Sequence, residues 1–279
     1  MWVIKDKICL ITGATSGIGQ QTALQLCRMG AKVIITYRDK QKALETKQWI
    51  EKETPSSLDI YYCDFASFDS IRSFVKEITV QYPRIDVLIN NAGIWESQRK
   101  LSKDGIELNF ATNYLAPFLL THLLLPSLSQ STPSRIINVS SGAHKNAVIN
   151  FDDIEMSKNF SGFKAYGQSK LANILFTKHL AAKLEGKNIT VNCLHPGVVS
   201  TNIFKNLGKV GIFFMKPIMI NPEKGAATSV YLAASEEVSN ISGKYFSRKK
   251  VVNSSPTSCD REIARKLWDV SVDYVGKLE

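Results

Sequence analysis

Short runs rich in Val and Ile alternate along the chain with longer stretches in which apolar residues return every three or four positions. The runs Ile8–Thr12, Lys32–Thr36, Ile60–Tyr62, Val87–Ile89, Arg135–Val139, Thr190–Leu194 and Lys244–Phe246 read as seven strands. Helical periodicity marks 17–29, 40–53, 67–82, 104–129, 162–186 and 222–234, with a last helix over about 259–275. Strand runs that are apolar without alternation, such as Val33 to Ile35, are what a parallel sheet covered on both faces requires. Strict strand–helix alternation with right-handed crossovers predicts an α/β fold: one doubly wound domain over 1–279 with a mostly parallel seven-stranded sheet. No repeat, low-complexity tract or Pro/Gly-rich linker divides it. The pattern breaks only over 198–222, where Gly208, Gly211 and Pro217 rule out one long regular helix.

Composition narrows the function classes. Hydrophobic residues at 44% and charged residues at 22% are those of an ordinary soluble globular protein. The net charge of +10 is spread evenly, with no basic arm and no Arg/Lys stripe interleaved with aromatics. A nucleic-acid partner is therefore not expected, and the charge reads as a solvated surface that helps attract anionic ligands. Five widely spaced cysteines without a CxxC pair, and four histidines without ligand spacing to them, point to a reducing compartment and to no metal site. Met1 to Ile4 is followed at once by Lys5, Asp6 and Lys7, which is no signal peptide. The longest stretch without a charged residue, Leu108 to Ser134, is interrupted by Asn109, Asn113, Pro117, His122 and Pro126 and is too short in its apolar part to span a bilayer. The expectation is a cytoplasmic protein, with peripheral membrane contact left open.

The first strand ends in Thr12-Gly13-Ala14-Thr15-Ser16-Gly17-Ile18-Gly19, and a helix follows. Glycines at such a turn let the backbone approach a pyrophosphate, and the helix N-terminus offers unpaired N–H groups to the anion. A Gly-rich turn is often only a turn. Its place at the first strand, with a second strand about 20 residues on, makes Gly13, Thr15, Ser16, Gly17, Ile18 and Gly19 candidate dinucleotide ligands of a Rossmann-type fold. An acid at the end of the second strand would select NAD through the ribose 2′-hydroxyl; here stand Thr36-Tyr37-Arg38, with Lys40 and Lys42 beyond. The Arg38 guanidinium suits a 2′-phosphate, so NADP is favoured, against the alternative of a solvent-facing loop arginine. Asp64 after the third strand is placed to accept from the adenine amino group, and Asn90, Ala92 and Gly93 after the fourth to pass beside the adenosine.

Tyr166 and Lys170 stand four positions apart at the start of a helix, so their side chains share a face. A phenol with its ordinary pKa near ~10 is a poor acid or base at neutral pH. A neighbouring ammonium and the charge of an oxidised nicotinamide are expected to lower it. Tyr-x-x-x-Lys alone is a weak signal; Ser140 and Ser141 at the end of the fifth strand strengthen it, because strand end and helix start can converge. Adjacent strand residues face opposite sides, so only one serine can address the site, and periodicity leaves open which.

Taken together, TGATSGIG, NNAG, Asn113, the serine after the fifth strand, YGQSK and HPG resemble the short-chain dehydrogenase/reductase family, in order over nearly the whole chain. ATNYLAPFLLTHLLLP, RIINVSSGAHK, YGQSKLANILFTKHLA and the ending GKYF…KLWDVS are similar to its retinol dehydrogenase-like branch. The resemblance implies an NADP(H)-dependent oxidoreductase of retinoids or other lipophilic alcohols, aldehydes or ketones. It implies Ser141 rather than Ser140 as the residue that holds and polarises the substrate oxygen. Tyr166 would carry the substrate proton, and Lys170 would bind the nicotinamide ribose and depress the tyrosine pKa. Asn113 would break its helix and hold a relay water, its alternative being a kink residue ahead of Pro117. Pro196, Gly197 and Thr201 match the segment beside the nicotinamide carboxamide, while His195, with no acid partner visible, reads as structural.

Two other functions stay in view: a broad carbonyl reductase of small ketones or quinones, and a non-catalytic NADP-binding scaffold or redox sensor. The intact Asn113, Ser141, Tyr166 and Lys170 set argues against the scaffold. Ligands of open α/β sheets bind beyond the carboxyl ends of the strands, where 198–222 emerges. That segment is expected to be a substrate lid with Phe213 and Phe214 lining an apolar pocket, against the alternative of core packing, with a membrane-surface contact helped by its lysines as an additional role. A homodimer or a homotetramer is compatible with this reading.

Overall fold

The computed structural model describes residues 1–131, 133–199 and 219–276. The strands are β1 (Ile8–Ile11), β2 (Lys32–Tyr37), β3 (Leu58–Tyr62), β4 (Val87–Asn90), β5 (Ser134–Val139), β6 (Ile189–His195), β7 (Tyr245–Ser247) and β8 (Lys250–Val251). They form one sheet in the order β3-β2-β1-β4-β5-β6-β7-β8. Every pairing is parallel except that of β7 with β8. The expected Rossmann-type sheet is therefore present with one strand more. That strand is too short and exposed to leave an apolar run. Its hairpin turn places Arg248 and Lys249 at φ of 51° and 64°, the geometry of a two-residue hairpin without the Gly or Asn that normally signals it.

Successive strand residues point to opposite faces, and each face has its own core. Leu10, Ile34, Leu88, Ile136 and Val191 pack with the side chains of α3 (Phe68–Gln81), α4 (Ala116–Ser129), α5 (Gly162–Lys183) and α7 (Arg261–Val275). Cys9, Ile11, Val33, Ile35, Val87, Ile89 and Leu194 pack with α1 (Gly17–Arg28), α2 (Lys40–Glu53) and α6 (Pro222–Ala234). The caps follow residue type: Asp39, Ser67, Asn221 and Asp260 accept from first-turn N–H groups of α2, α3, α6 and α7. Ser16 before α1 and Ser161 before α5 make no such side-chain bond.

The helix expected over 104–129 is divided. A helical turn at Leu108–Phe110 runs into a π-helical stretch, Ala111–Leu115, and only then into α4. The widened turn is centred on Asn113, whose backbone carbonyl accepts from Asn173 Nδ2 at 2.9 Å. Such a π insertion changes the local register without disturbing the apolar periodicity on either side, so the pattern reads as one helix.

Because β1 lies between β2 and β4, the chain leaves it in opposite directions, which opens a crevice at the carboxyl ends of the strands. Val199 and Ile220 meet there in an isolated parallel bridge. Thr201, Phe213 and Phe214, and with them most of the expected lid over 198–222, lie outside the described residues. Among the described residues no helix is long and apolar enough to cross a membrane.

Candidate active site

A cleft of about 590 Å³ occupies that crevice, within the ~300–1,000 Å³ of ligand-binding pockets. Gly13, Thr15, Ser16, Gly17, Ile18, Gly19, Arg38, Asp64, Ala92, Gly93, Ser141, Tyr166, Lys170, Pro196 and Gly197 all line it. The β1 turn depends on having no side chain at two points. Gly13 has φ of 63°, and a Cβ there would lie 2.7 Å from the Ala92 Cα; one on Gly19 would lie 2.4 Å from Asn91 Nδ2.

Asn90 does not face the cleft. Its side chain is buried and donates to Thr121 Oγ1 at 3.0 Å and Asn138 Oδ1 at 2.8 Å, which corrects the expectation that it meets an adenosine. The neighbouring Asn91 lines the cleft instead, with Nδ2 donating to the Thr12 and Gly13 carbonyls at 2.8 and 3.0 Å. The Thr12 hydroxyl accepts from the Asn91 and Ala92 N–H groups at 3.0 and 2.9 Å. These bonds lock the Gly-rich turn to the loop after β4.

The residues fit a dinucleotide. The first turn of α1 carries no acid and no side-chain cap, so its N–H groups remain available to an anion. At the far end, Arg38 and Lys42 line the cleft, and Arg38 forms no ion pair among the described residues. Asp39 lies beside them, but its carboxylate accepts from Lys42 N–H at 3.3 Å and pairs with Lys42 Nζ at 3.4 Å, so it turns toward the start of α2. Asp64 pairs with Lys103 at 3.0 Å and accepts from Ala66 N–H at 3.1 Å, leaving carboxylate lone pairs for a further donor.

The β5 end and the start of α5 converge at the other end of the cleft. Ser140 is buried and donates to the Lys170 carbonyl at 2.7 Å. Ser141 faces the cleft, accepts from Ala143 N–H at 3.2 Å and hydrogen-bonds to Tyr166. Burial pushes the Tyr166 phenol up to about 12, with the Ser141 bond offsetting part of the effect. Burial likewise pushes the Lys170 ammonium down to about 8. In the free protein burial is the largest cause of both shifts. Removing both groups from water favours their neutral forms, and the ammonium sits 5.6 Å from the phenol ring centroid. Lys170 Nζ donates to the Val139 carbonyl at 3.1 Å.

Asn113 lies behind the cleft wall. Its Oδ1 accepts from Ile94 N–H at 2.7 Å, and its Nδ2 donates to the Ile94 carbonyl at 2.9 Å and to Ser169 Oγ at 3.0 Å. Both amide protons are engaged, so a water here would meet only acceptor positions of Asn113. A Cβ on Gly93 would sit 3.3 Å from both Asn113 Oδ1 and Lys170 Nζ, so either side chain would have to give by a few tenths of an ångström to admit it.

Sequence reasoning passed over Trp95, which lines the cleft and whose ring centroid lies 5.3 Å from that of Phe163, itself 65% exposed at the start of α5. His195, read as structural, lines the cleft and accepts from Gly142 N–H at 3.1 Å. A family model described as short chain dehydrogenase matches residues 7–210. The chain is 42% identical to retinol dehydrogenase 14 of Homo sapiens over 299 aligned residues, covering 99% of this chain and 88% of that protein. Among solved structures, an uncharacterised protein from Mycobacterium paratuberculosis superposes with a TM-score of 0.81 at 30% identity, covering 99% of this chain and 95% of that one. The RhlG/NADP active-site complex of Pseudomonas aeruginosa does so with 0.73 at 25% identity, covering 88% and 95%.

Proposed function

The chain belongs to the short-chain dehydrogenase/reductase family and its retinol dehydrogenase-like branch, and we propose that it transfers hydride between NADP(H) and a lipophilic alcohol, aldehyde or ketone of retinoid-like apolarity. As a member it is an oxidoreductase that binds a nicotinamide cofactor. The observation that carries the finer reading is the convergence of Ser141, Tyr166 and Lys170 at one end of a cleft whose other end holds Arg38 and Lys42.

The nicotinamide supplies or accepts the hydride; the protein does the rest. The uncapped first turn of α1 and the Gly13–Gly19 turn hold the pyrophosphate, and Arg38 with Lys42 selects the 2′-phosphate. Ser141, its oxygen already accepting from Ala143 N–H, keeps its one proton for donation to the substrate oxygen. Tyr166 is the general acid in carbonyl reduction: it lines the cleft with Ser141 and supplies the proton that the reduced oxygen takes up. Lys170 binds the nicotinamide ribose, and Asn113 fixes the Ile94 backbone behind it. Trp95, which lines the cleft and packs against Phe163, adds an apolar surface that supports a lipophilic substrate. Retinol dehydrogenase 14 is by its name an enzyme of such a substrate, and the NADP complex of RhlG shares the fold.

The test is a screen of retinal, long-chain aldehydes, steroids and quinones against NADPH and NADH, following nucleotide absorbance. Oxidation of NADPH with the long apolar carbonyls is expected. Turnover of small quinones or ketones alone would reassign the protein as a broad carbonyl reductase, and no turnover with any carbonyl would leave a binding scaffold.

A further inference from the structure

Ser141 stands where regular structure stops. The ladder to β6 ends with Ser140 N–H donating to the Leu194 carbonyl at 2.8 Å, and a tight helical turn begins at Gly142. Beyond the ladder, the peptide joining Ser141 to Gly142 is held at both ends by imidazoles. His144 Nδ1 lies 2.7 Å from the Ser141 carbonyl oxygen, and Gly142 N–H donates to His195 Nδ1 at 3.1 Å.

The chemistry of the partners sets the protons. A carbonyl can only accept, so His144 Nδ1 carries hydrogen. Ser255 N–H donates to His144 Nε2 at 3.2 Å, so that nitrogen is bare. His195 Nδ1 is bare because it accepts from Gly142, which leaves the proton of its neutral ring on Nε2. We infer that His144 and His195 are positioning residues that clamp the Ser141–Gly142 peptide, one in each neutral tautomer, and so aim the Ser141 hydroxyl at the reacting oxygen.

The surroundings keep both rings in these states. His144 is fully buried, with its ring against that of Tyr245 at 4.9 Å between centroids. Burial and the charges of Lys145 and Lys178 disfavour its imidazolium, while the Ser141 carbonyl acts the other way. His195 is held down to about 4 by burial and by facing His144, Lys145 and Arg248. Protonating either ring would set two donors face to face, against Ser255 N–H in one case and Gly142 N–H in the other. Backbone on the N-terminal side of Ser141 is fixed by the β6 ladder and by Ser140 Oγ on the Lys170 carbonyl. The clamp does for the C-terminal side what no strand does.

The inference rests on Ser141 as the residue that binds the substrate oxygen, and the first measurement is independent of that reading. Long-range ¹H–¹⁵N correlation of the imidazoles at pH 7.5, on the full chain, should show His144 as the Nδ1–H tautomer and His195 as the Nε2–H tautomer. His144 found as Nε2–H, or either ring as imidazolium, overturns the clamp. Kinetics then test its purpose. His195→Ala should lower kcat by about 10- to 100-fold, the scale of a misplaced catalytic group, with the dinucleotide dissociation constant changed by less than about threefold. His195→Asn puts an amide oxygen where Nδ1 stood and should recover most of the loss. An unchanged kcat in His195→Ala, or an equal loss in both variants, refutes the positioning role. If Ser141→Ala retains full turnover while the tautomers are as stated, the assignment of Ser141 fails and the clamp is only structural.

Discussion

Lys170 is expected to destabilise the free protein, and the size of the effect follows from its burial. The side chain is 3% exposed, and folding takes its ammonium from an ordinary value of 10.5 down to about 8. At pH 7 both states bind the proton, and the folded state bears the whole cost of a charge held out of water, roughly 3 kcal/mol. As the pH rises through 8 the folded state releases its proton first, so the cost shrinks, to about 1.5 kcal/mol at pH 9.5, and vanishes above 10.5. Lys170→Met keeps the length of the side chain and removes the charge. It loses the bond to the Val139 carbonyl, worth about 1 kcal/mol at every pH. The variant should therefore be more stable than the unmodified protein by about 2 kcal/mol at pH 7, with the advantage falling by about 2 kcal/mol by pH 9.5. Urea unfolding followed by tryptophan fluorescence at the two pH values measures both numbers. A stability difference that does not change between pH 7 and 9.5 refutes the reasoning, because only titration of Lys170 makes it pH-dependent. Turnover should be lost in the same variant, a site residue giving up stability for function.

Arg38→Ala should erase most of a preference for NADPH over NADH of about 5- to 150-fold, read by titration of nucleotide fluorescence; equal affinity for the two in the unmodified protein would defeat the 2′-phosphate assignment. Tyr166→Phe should lower turnover at least ~10²-fold while NADPH still binds, and Ser141→Ala should be far more damaging to kcat than Ser140→Ala. Near-normal turnover in Tyr166→Phe would remove the general acid. Gly13→Ala forces a side chain to φ of 63° and to 2.7 Å from the Ala92 Cα, so it should cost about 1–3 kcal/mol in urea unfolding and weaken dinucleotide binding. An unchanged midpoint would show that the turn yields freely.

Much of this architecture is legible in the chain because parallel strands buried on both faces leave unbroken Val/Ile runs, and because the motifs at their carboxyl ends carry the chemistry. What was illegible has identifiable causes. The Arg248–Lys249 turn lacks the residues that normally mark a hairpin, so β8 left no signal. Asn90 and Asn91 are adjacent and chemically identical. Asn91 is the one at the cleft, where its side-chain amide donates to the Thr12 and Gly13 carbonyls, contacts between residues far apart in sequence. His195 shows no acid partner in the sequence because its partner is a backbone amide, Gly142 N–H, brought to it by the pairing of β5 with β6. The rise of the Tyr166 phenol in the free protein comes from burial, which depends on tertiary packing that no local motif displays.

The place of β1 at the centre of the sheet also bears on how the chain is born. Residues 8–11 leave the ribosome early and find β2 soon afterwards, but their other edge pairs with β4, where Cys9 meets Val87. At about 5–20 residues per second, the intervening stretch of about 80 residues takes on the order of 4 to 16 seconds to synthesise. For that time this apolar strand edge has no partner, and an unpaired edge of this kind invites pairing with another chain. A nascent polypeptide halted before Val87 should therefore recruit chaperones through this edge. The strand that floors the crevice is, among the paired strands, the one that waits longest for its second neighbour.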